Sequence, residues 1–360
     1  MPNWTESMQQ TFKYYIVNPD TWADEKELKN IISCTISWDS AAETLGSASI
    51  ETTEMLGECY VRIYLVTIQN GVEEDHVLGT FLIQTPSSNT DGKINSISAD
   101  AYSPLLELKE KYPSIGYYIP KSTEDKKVNI MDTVYEIITN NNLVRAPVIK
   151  TPSSEEITVD FVADPDDNWL KFLTEFISNA DHYFDLDERG NILFVPKQEF
   201  SALQPKHTFE SNEISILYPD VTVDRDLYGI PNSVEVVCSS PSGEMFYYKV
   251  ENNDPDSPTS IVNRGREIMH RDTNPSIVGT ATQVRIQEYA EALLKKLSSV
   301  EHTLTFSHGY YPVRPGDCVR IIYPEAGLDN IKVKIISQSI KCEPGCPVTS
   351  KAVYTTKYWG

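Results

Sequence analysis

Long apolar runs are missing from this 360-residue sequence, and nothing in it approaches the roughly 18 apolar residues needed to cross a bilayer as a helix. The first ten residues, MPNWTESMQQ, hold neither a basic patch nor an apolar core. A chain made in the cytoplasm and not exported through a signal peptide is the expectation. Basic residues are scarce: 31 Lys+Arg stand against 52 Asp+Glu, for a formal net charge of -21 at pH 7. Such a surface repels phosphate backbones and anionic lipid, which argues against nucleic-acid or membrane binding yet leaves room for a channel that nucleic acid passes without sticking. Cysteine is sparse too, with six residues at 34, 59, 238, 318, 342 and 346. Mostly single and set in strand-like runs, they read as small apolar core residues of a reducing compartment, not as a disulfide framework. Only Cys342 and Cys346, in CEPGC, lie close together, and without two further ligands nearby they read as flanking a Pro-Gly turn ahead of a metal site.

Signatures of chemistry are also lacking. No phosphate-binding loop, dinucleotide fingerprint, nucleophile elbow or helical zinc-binding His pair occurs. Asp164, Asp166 and Asp167 could be imagined as a carboxylate pair for glycoside hydrolysis, but they sit where a helix begins, and carboxylates there neutralise the macrodipole. Asp185 and Asp187 flank or enter a turn. Asn252-Asn253-Asp254 lacks the spaced acids and closing Glu of a calcium loop. His302 and His308 read as satisfied core or interface histidines, since no nucleophile stands at a recognisable spacing. No catalytic, cofactor-binding or metal-binding residue is expected.

What the sequence does contain is clearest from Gln283 to Arg320. Ile286, Tyr289, Ala290, Leu293, Leu294, Leu297 and Val300 recur at helical spacing, opposite Arg285, Gln287, Glu288, Glu291, Lys295 and Lys296, so one amphipathic helix with one buried stripe is predicted. Thr280 with Gln283 has the form of a capping box. At Glu301 the period becomes two, and Arg314-Pro315-Gly316-Asp317 places Pro and Gly as a type II turn requires. A strand pair is predicted, its second member spanning Cys318 to Tyr323.

The length allows about two to three domains. Before residue 103 the texture is β: Phe12 to Val17, Ile31 to Trp38, Tyr60 to Ile68 and Val77 to Gln84, with Asn70-Gly71 marking a hairpin. From Ser103 helices enter, one from Ser103-Pro104 through Lys111, one capped by Asn129 over Ile130 to Thr139, one running from near Asp166 through Ile177. A hairpin follows, Tyr183 to Leu186 and Ile192 to Val195. Strands return at Ile214 to Tyr218, Ser233 to Val237, Glu244 to Val250, Ile331 to Ile336 and Val353 to Tyr358, while Asn252 to Gly279 reads as a long loop. The expected fold class is therefore α+β and multidomain: two small antiparallel β-barrel domains with α+β insertions. The boundaries are 1–103 for the first barrel, 104–197 for an α+β domain, 198–251 with 301–360 for the second barrel, and 252–300 for an inserted loop and helix.

Aromatic residues exceed what strand cores require: 20 Tyr, 11 Phe and 5 Trp, several as adjacent pairs that must face opposite sides of a strand. Tyr and Trp are enriched at protein interfaces, and Tyr289, Leu293, Tyr310, Tyr311 and Trp359 are the candidate interface residues.

The order of parts resembles the baseplate hub proteins of tailed bacteriophages, relatives of the N-terminal part of type VI secretion spikes. The resemblance rests on Asn168 to Leu173, Phe184-Asp185-Leu186, Gly190 to Val195, Pro231 to Val236, the long helix, and Glu301 to Leu304 before Arg314-Pro315-Gly316-Asp317. It implies a non-enzymatic homotrimer in the virion, each chain giving two tube-type barrels to a pseudo-sixfold ring. That ring would join a tail tube or distal tail protein to a central spike, with tape-measure protein and then genomic DNA passing its lumen. No cofactor is implied. The other readings are a cell-wall or glycan hydrolase of a tail tip and a glycan-binding receptor-recognition protein.

Overall fold

The computed structural model describes residues 2–90, 95–213, 215–225, 227, 229–239, 245–273, 275 and 282–357. Strands β1 (Gln9–Val17), β2 (Asp24–Leu28), β3 (Ile31–Asp39), β4 (Gly46–Thr52), β5 (Tyr60–Gln69), β6 (Val72–Thr90) and β7 (Asn95–Tyr102) come first. The middle of the chain supplies α1 (Leu106–Lys109), β8 (Tyr118–Ile119), α2 (Ile130–Asn140), β9 (Phe161–Val162), α3 (Trp169–Ser178), β10 (His182–Leu186) and β11 (Ile192–Pro196). Next are β12 (Pro205–Glu210), β13 (Leu217–Arg225), β14 (Ser233–Ser239), β15 (Met245–Glu251), α4 (Ile261–Arg264), β16 (Met269–Asp272) and α5 (Gln283–Leu297). The chain finishes with β17 (Ser299–Gly309), β18 (Cys318–Tyr323), β19 (Leu328–Lys341) and β20 (Pro347–Lys357). This is a strand-rich, mostly antiparallel α+β fold with few helices. It divides into two compact units, Met1–Asp220 with Phe306–Lys351, and Val221–Thr305 with Ala352–Gly360.

In the first unit strands run in the order β20-β19-β3-β4-β7-β6-β5-β1-β2, with β18 on β19 and β12 on β18. Among the described residues this ladder is open at β2 and does not close on itself. Strand β5 lies between β1 and β6 and is buried from Tyr60 through Thr67, which explains its near-continuous apolar sequence. Its one charge, Arg62, is 1% exposed and is held by Asp24 at 2.7 Å and by the Thr80 hydroxyl at 3.0 Å. Asn70 and Gly71 join β5 to β6 with φ of +52° and +79°, the left-handed pair that a two-residue hairpin turn needs. A separate core in this unit gathers α2, α3 and the β10–β11 hairpin around Val134, Ile138, Phe172, Phe176 and Phe194. Its two helices begin where Asn129 accepts from the Asp132 amide and Asn168 from the Lys171 amide, each satisfying a free N–H of a first turn.

The second unit contains the sheet β15-β14-β16, packed beneath α5 through Val234, Val236, Ile286, Ala290 and Leu294. The stripe read from the sequence is the buried one. Thr280 lies outside the described residues; the cap is Thr282, which accepts from the Arg285 amide.

Three expectations change. The segment from Asn252 onward is not simply a loop, because α4 forms and β16 adds in parallel to β14; four residues reading MHRD carry no apolar alternation to betray a strand. Strand β18 does not pair with β17 but with β12 and β19. The turn before it closes on β19 instead, Gly316 donating to the Ile335 carbonyl at 2.8 Å and Ile335 to the Asp317 carbonyl at 2.9 Å. The helix expected from Ser103 through Lys111 is shorter, spanning Leu106–Lys109. The expected strand start at Ile214 lies outside the described residues.

Candidate functional site

The turn at residues 314–317 builds a connected polar site in the first unit. Asp317 donates its amide to the Arg314 carbonyl at 3.0 Å and accepts the Arg314 amide on Oδ2 at 3.0 Å. Gly316 between them has φ +96°, which a residue with a Cβ adopts only under strain. The closed turn projects the Arg314 guanidinium onto the β10–β11 hairpin. There Nη2 donates to Asp185 Oδ2 at 2.8 Å and Nη1 to the Leu186 carbonyl at 2.6 Å, with Glu188 3.8 Å away. Burial pushes the Asp185 carboxyl above its ordinary value, and the Arg314 charge opposes that shift. Lys206 completes the group with an ion pair to Asp317 at 2.7 Å. Asp185 is thus more than a turn residue, whereas Asp187 is one, accepting from the Asn191 amide at 2.8 Å.

Beside this group opens a cleft of about 1050 Å³, whose walls include Trp38, Leu45, Tyr183, Asp185, Pro312 and Arg314. Gln338 also lines it, and there a buried relay begins. His308 Nδ1 faces the Gly309 carbonyl at 2.7 Å; since a carbonyl only accepts, Nδ1 carries the proton. Nε2 is then a bare acceptor for the Ser350 hydroxyl at 2.8 Å, and Ser350 Oγ in turn accepts from Gln338 Nε2 at 3.0 Å. Burial lowers the His308 pKa to about 4, so the ring is neutral near pH 7. A Ser–His contact was not foreseen from the sequence, because the two residues are 42 positions apart. Both are fully buried, so the pair offers no face to a substrate. His302 is buried as well, stacked on Tyr354 with ring centroids 4.7 Å apart.

The sequence-selected aromatic residues are not brought to one place. Tyr310 meets Trp4 edge-on at 5.1 Å, and burial pushes its hydroxyl well up. Tyr311 stacks on His207 at 3.8 Å. Leu293 and Tyr289 pack on the core of the second unit, the Tyr289 hydroxyl donating to Asp272 at 2.7 Å. Trp359 lies outside the described residues. Of the acids before α3, Asp167 accepts the Asp164 amide at 3.1 Å and pairs with Lys171 at 2.6 Å. Among the described residues no group of three or more His, Cys, Asp or Glu side chains is placed to hold a metal ion.

No protein-family model and no curated protein sequence matches the chain. Solved structures do. The tail protein from Neisseria meningitidis MC58 superposes with a TM-score of 0.60 at 12% identity, covering 96% of this chain and 96% of that one. The 43 kDa tail protein of prophage MuSo2 from Shewanella oneidensis gives 0.57 at 10% identity over 96% and 98%. The chain has a phage tail hub-like fold. A third relative of this fold is the E. coli c3393 protein, a component of the type VI secretion system described as similar to the T4 tail proteins gp27 and gp5. It matches with a TM-score of 0.50 at 10% identity, over 92% of this chain and 75% of its own. At such identities the tail-hub fold is shared while individual side chains are free to differ.

Proposed function

We propose that this protein is the structural hub of a phage tail baseplate, a homotrimer whose subunits each contribute two tube-type barrel modules to a pseudo-sixfold ring. The observation that carries the reading is end-to-end similarity to tail proteins, over 96% of this chain and nearly all of theirs. In this reading residues 1–103 form the first module, 198–251 with 301–360 the second, 104–197 an α+β domain, and 252–300 an insertion. The ring joins the tail tube to the central spike, and the similarity to a type VI secretion component supports a place beside a spike. The formal charge of -21 suits a lumen through which tape-measure protein and DNA pass, because a negative wall does not retain a polyanion.

Subunit contacts bury apolar and aromatic surface of the extent usual for obligate oligomers, over about 2,000 Å². Tyr289, Leu293, Tyr310 and Tyr311 are half-buried within the chain and keep surface for a neighbour to cover; Trp359 is the fifth candidate. No reaction is assigned to the protein. Native mass spectrometry and particle images test the proposal: three times the chain mass and a ring with a central hole are expected. A strictly monomeric species at high concentration, alone and with the tail-tube protein, sinks it.

A further inference from the structure

Cys34, Cys59, Cys342 and Cys346 all pack in or against one apolar core of the first unit, and two of them are cross-strand neighbours. The antiparallel register of β3 on β19 pairs Thr35 with Lys341. One step further along the same ladder sets Cys34 opposite Cys342, and the Cys342 amide donates to the Cys34 carbonyl at 2.9 Å. Residues opposite each other on antiparallel strands hold their Cα atoms about 4.5–5.5 Å apart, inside the span of about 4.4–6.8 Å that a disulfide bridges. The side chains share a face, Cys34 within the core and Cys342 against it. The two thiols and the Tyr14 hydroxyl are close enough to perturb one another's ionisation. Both are free thiols here.

We propose that Cys34 and Cys342 are an oxidisable pair that closes a cross-strand disulfide between β3 and β19 when the protein meets a small-molecule disulfide such as oxidised glutathione. Cys342 is the more accessible of the two and is the point of entry. Its thiolate attacks one sulfur of glutathione disulfide, expelling a glutathione thiolate and leaving a mixed disulfide on Cys342. The Cys34 thiolate then attacks the Cys342 sulfur and expels the second glutathione thiolate. The two protein thiols have given up two protons and two electrons, and the oxidant has become two reduced glutathione molecules.

The neighbouring Cys342 and, after it, burial push the Cys34 thiol well up, while the nearby Tyr14 hydroxyl favours the thiolate. Closure is therefore slow at neutral pH and faster in mild alkali. The bridge joins two segments far apart in sequence, so it restrains the unfolded chain strongly.

The test holds the full chain with excess oxidised glutathione at mildly alkaline pH, alkylates it in denaturant, and maps its peptides by mass spectrometry. A Cys34–Cys342 cross-link, two fewer alkylated thiols per chain and a higher Tm that reductant reverses are expected. Cys346→Ser keeps the cross-link, Cys34→Ser abolishes it, and Tyr14→Phe slows its formation. A cross-link of Cys342 to Cys346 alone, glutathione retained on Cys342, or six alkylatable thiols after oxidation overturns the proposal.

Discussion

Arg314, on the turn that precedes β18, grips Asp185 of the β10–β11 hairpin 129 positions earlier, its Nη2 donating to Oδ2 at 2.8 Å. Its Nη1 takes the neighbouring Leu186 carbonyl, so one guanidinium satisfies a carboxylate and a backbone acceptor that water reaches poorly. Replacing either partner alone leaves the other partly buried without its hydrogen bonds, and that asymmetry decides what mutation does.

Arg314→Ala is expected to cost about 2 kcal/mol, the scale of losing hydrogen bonds to a charged group and stranding their acceptors. Asp185→Asn is expected to cost less, because the amide oxygen still accepts from Arg314 and no buried charge remains. The pH dependence follows from sign. Burial raises Asp185 in the folded state, so its contribution falls as pH rises from the ordinary carboxylate range through the raised value. Without Arg314 the raised value climbs further, and the Arg314→Ala deficit should be smaller at pH 5 than at pH 7. Urea unfolding of both variants at the two pH values measures it; equal deficits would show that Arg314 acts by packing alone.

Gly316→Ala tests the same turn through the backbone. An added Cβ would meet nothing closer than the Tyr183 hydroxyl at 3.9 Å, so space is not the obstacle. The cost comes from φ +96°, and about 1 kcal/mol of lost stability is expected. An unchanged Tm would mean that the turn relaxes to negative φ.

Legibility in the sequence tracked the distance over which each signal acts. The limits of α2 and β18 could be read because caps, turn residues and periodicity are properties of neighbouring residues. β16 could not be read, since its strand character comes from the β14 edge it joins and not from its own four residues. The partner of β18 is hidden for the same reason: the turn at 314–317 is local, but the hydrogen bonds of its Gly316 and Asp317 go to Ile335 of β19. At the candidate site, Asp185 and Arg314 were each singled out, yet nothing in the spacing joins a hairpin to a turn over a hundred residues later. Tyr310 and Tyr311 stand out in the sequence for surplus aromatic character; Trp4 and His207, whose rings pack against theirs, are likewise remote in sequence.

Asn168→Ala removes the acceptor for the Lys171 amide at 2.8 Å. A loss of about 1 kcal/mol is expected, the usual worth of an N-cap. Asn168→Asp should recover most of it, because a carboxylate accepts the same bond and meets the positive helix end. Thermal unfolding of the two variants checks the order, and an aspartate variant no better than alanine would place the loss in the preceding loop instead.

The strongest pH dependence is expected from His308. Its folded pKa is near 4 because burial disfavours the charged ring, whereas the unfolded side chain titrates near 6.5. Between those values the unfolded chain binds the proton and the folded chain does not. Stability from this group is thus fully present above about pH 6.5 and is lost as pH falls toward 4, by an amount on the order of 3 kcal/mol. His308→Asn, neutral throughout, should be destabilised at pH 7 through the broken relay to Ser350 and Gln338, yet should lose less than wild type on acidification. Denaturant midpoints from pH 7 to pH 4.5 distinguish the cases: parallel curves would mean that His308 is protonated within the fold, with Ser350 accepting its Nε2 proton and Gln338 turned to accept from the Ser350 hydroxyl.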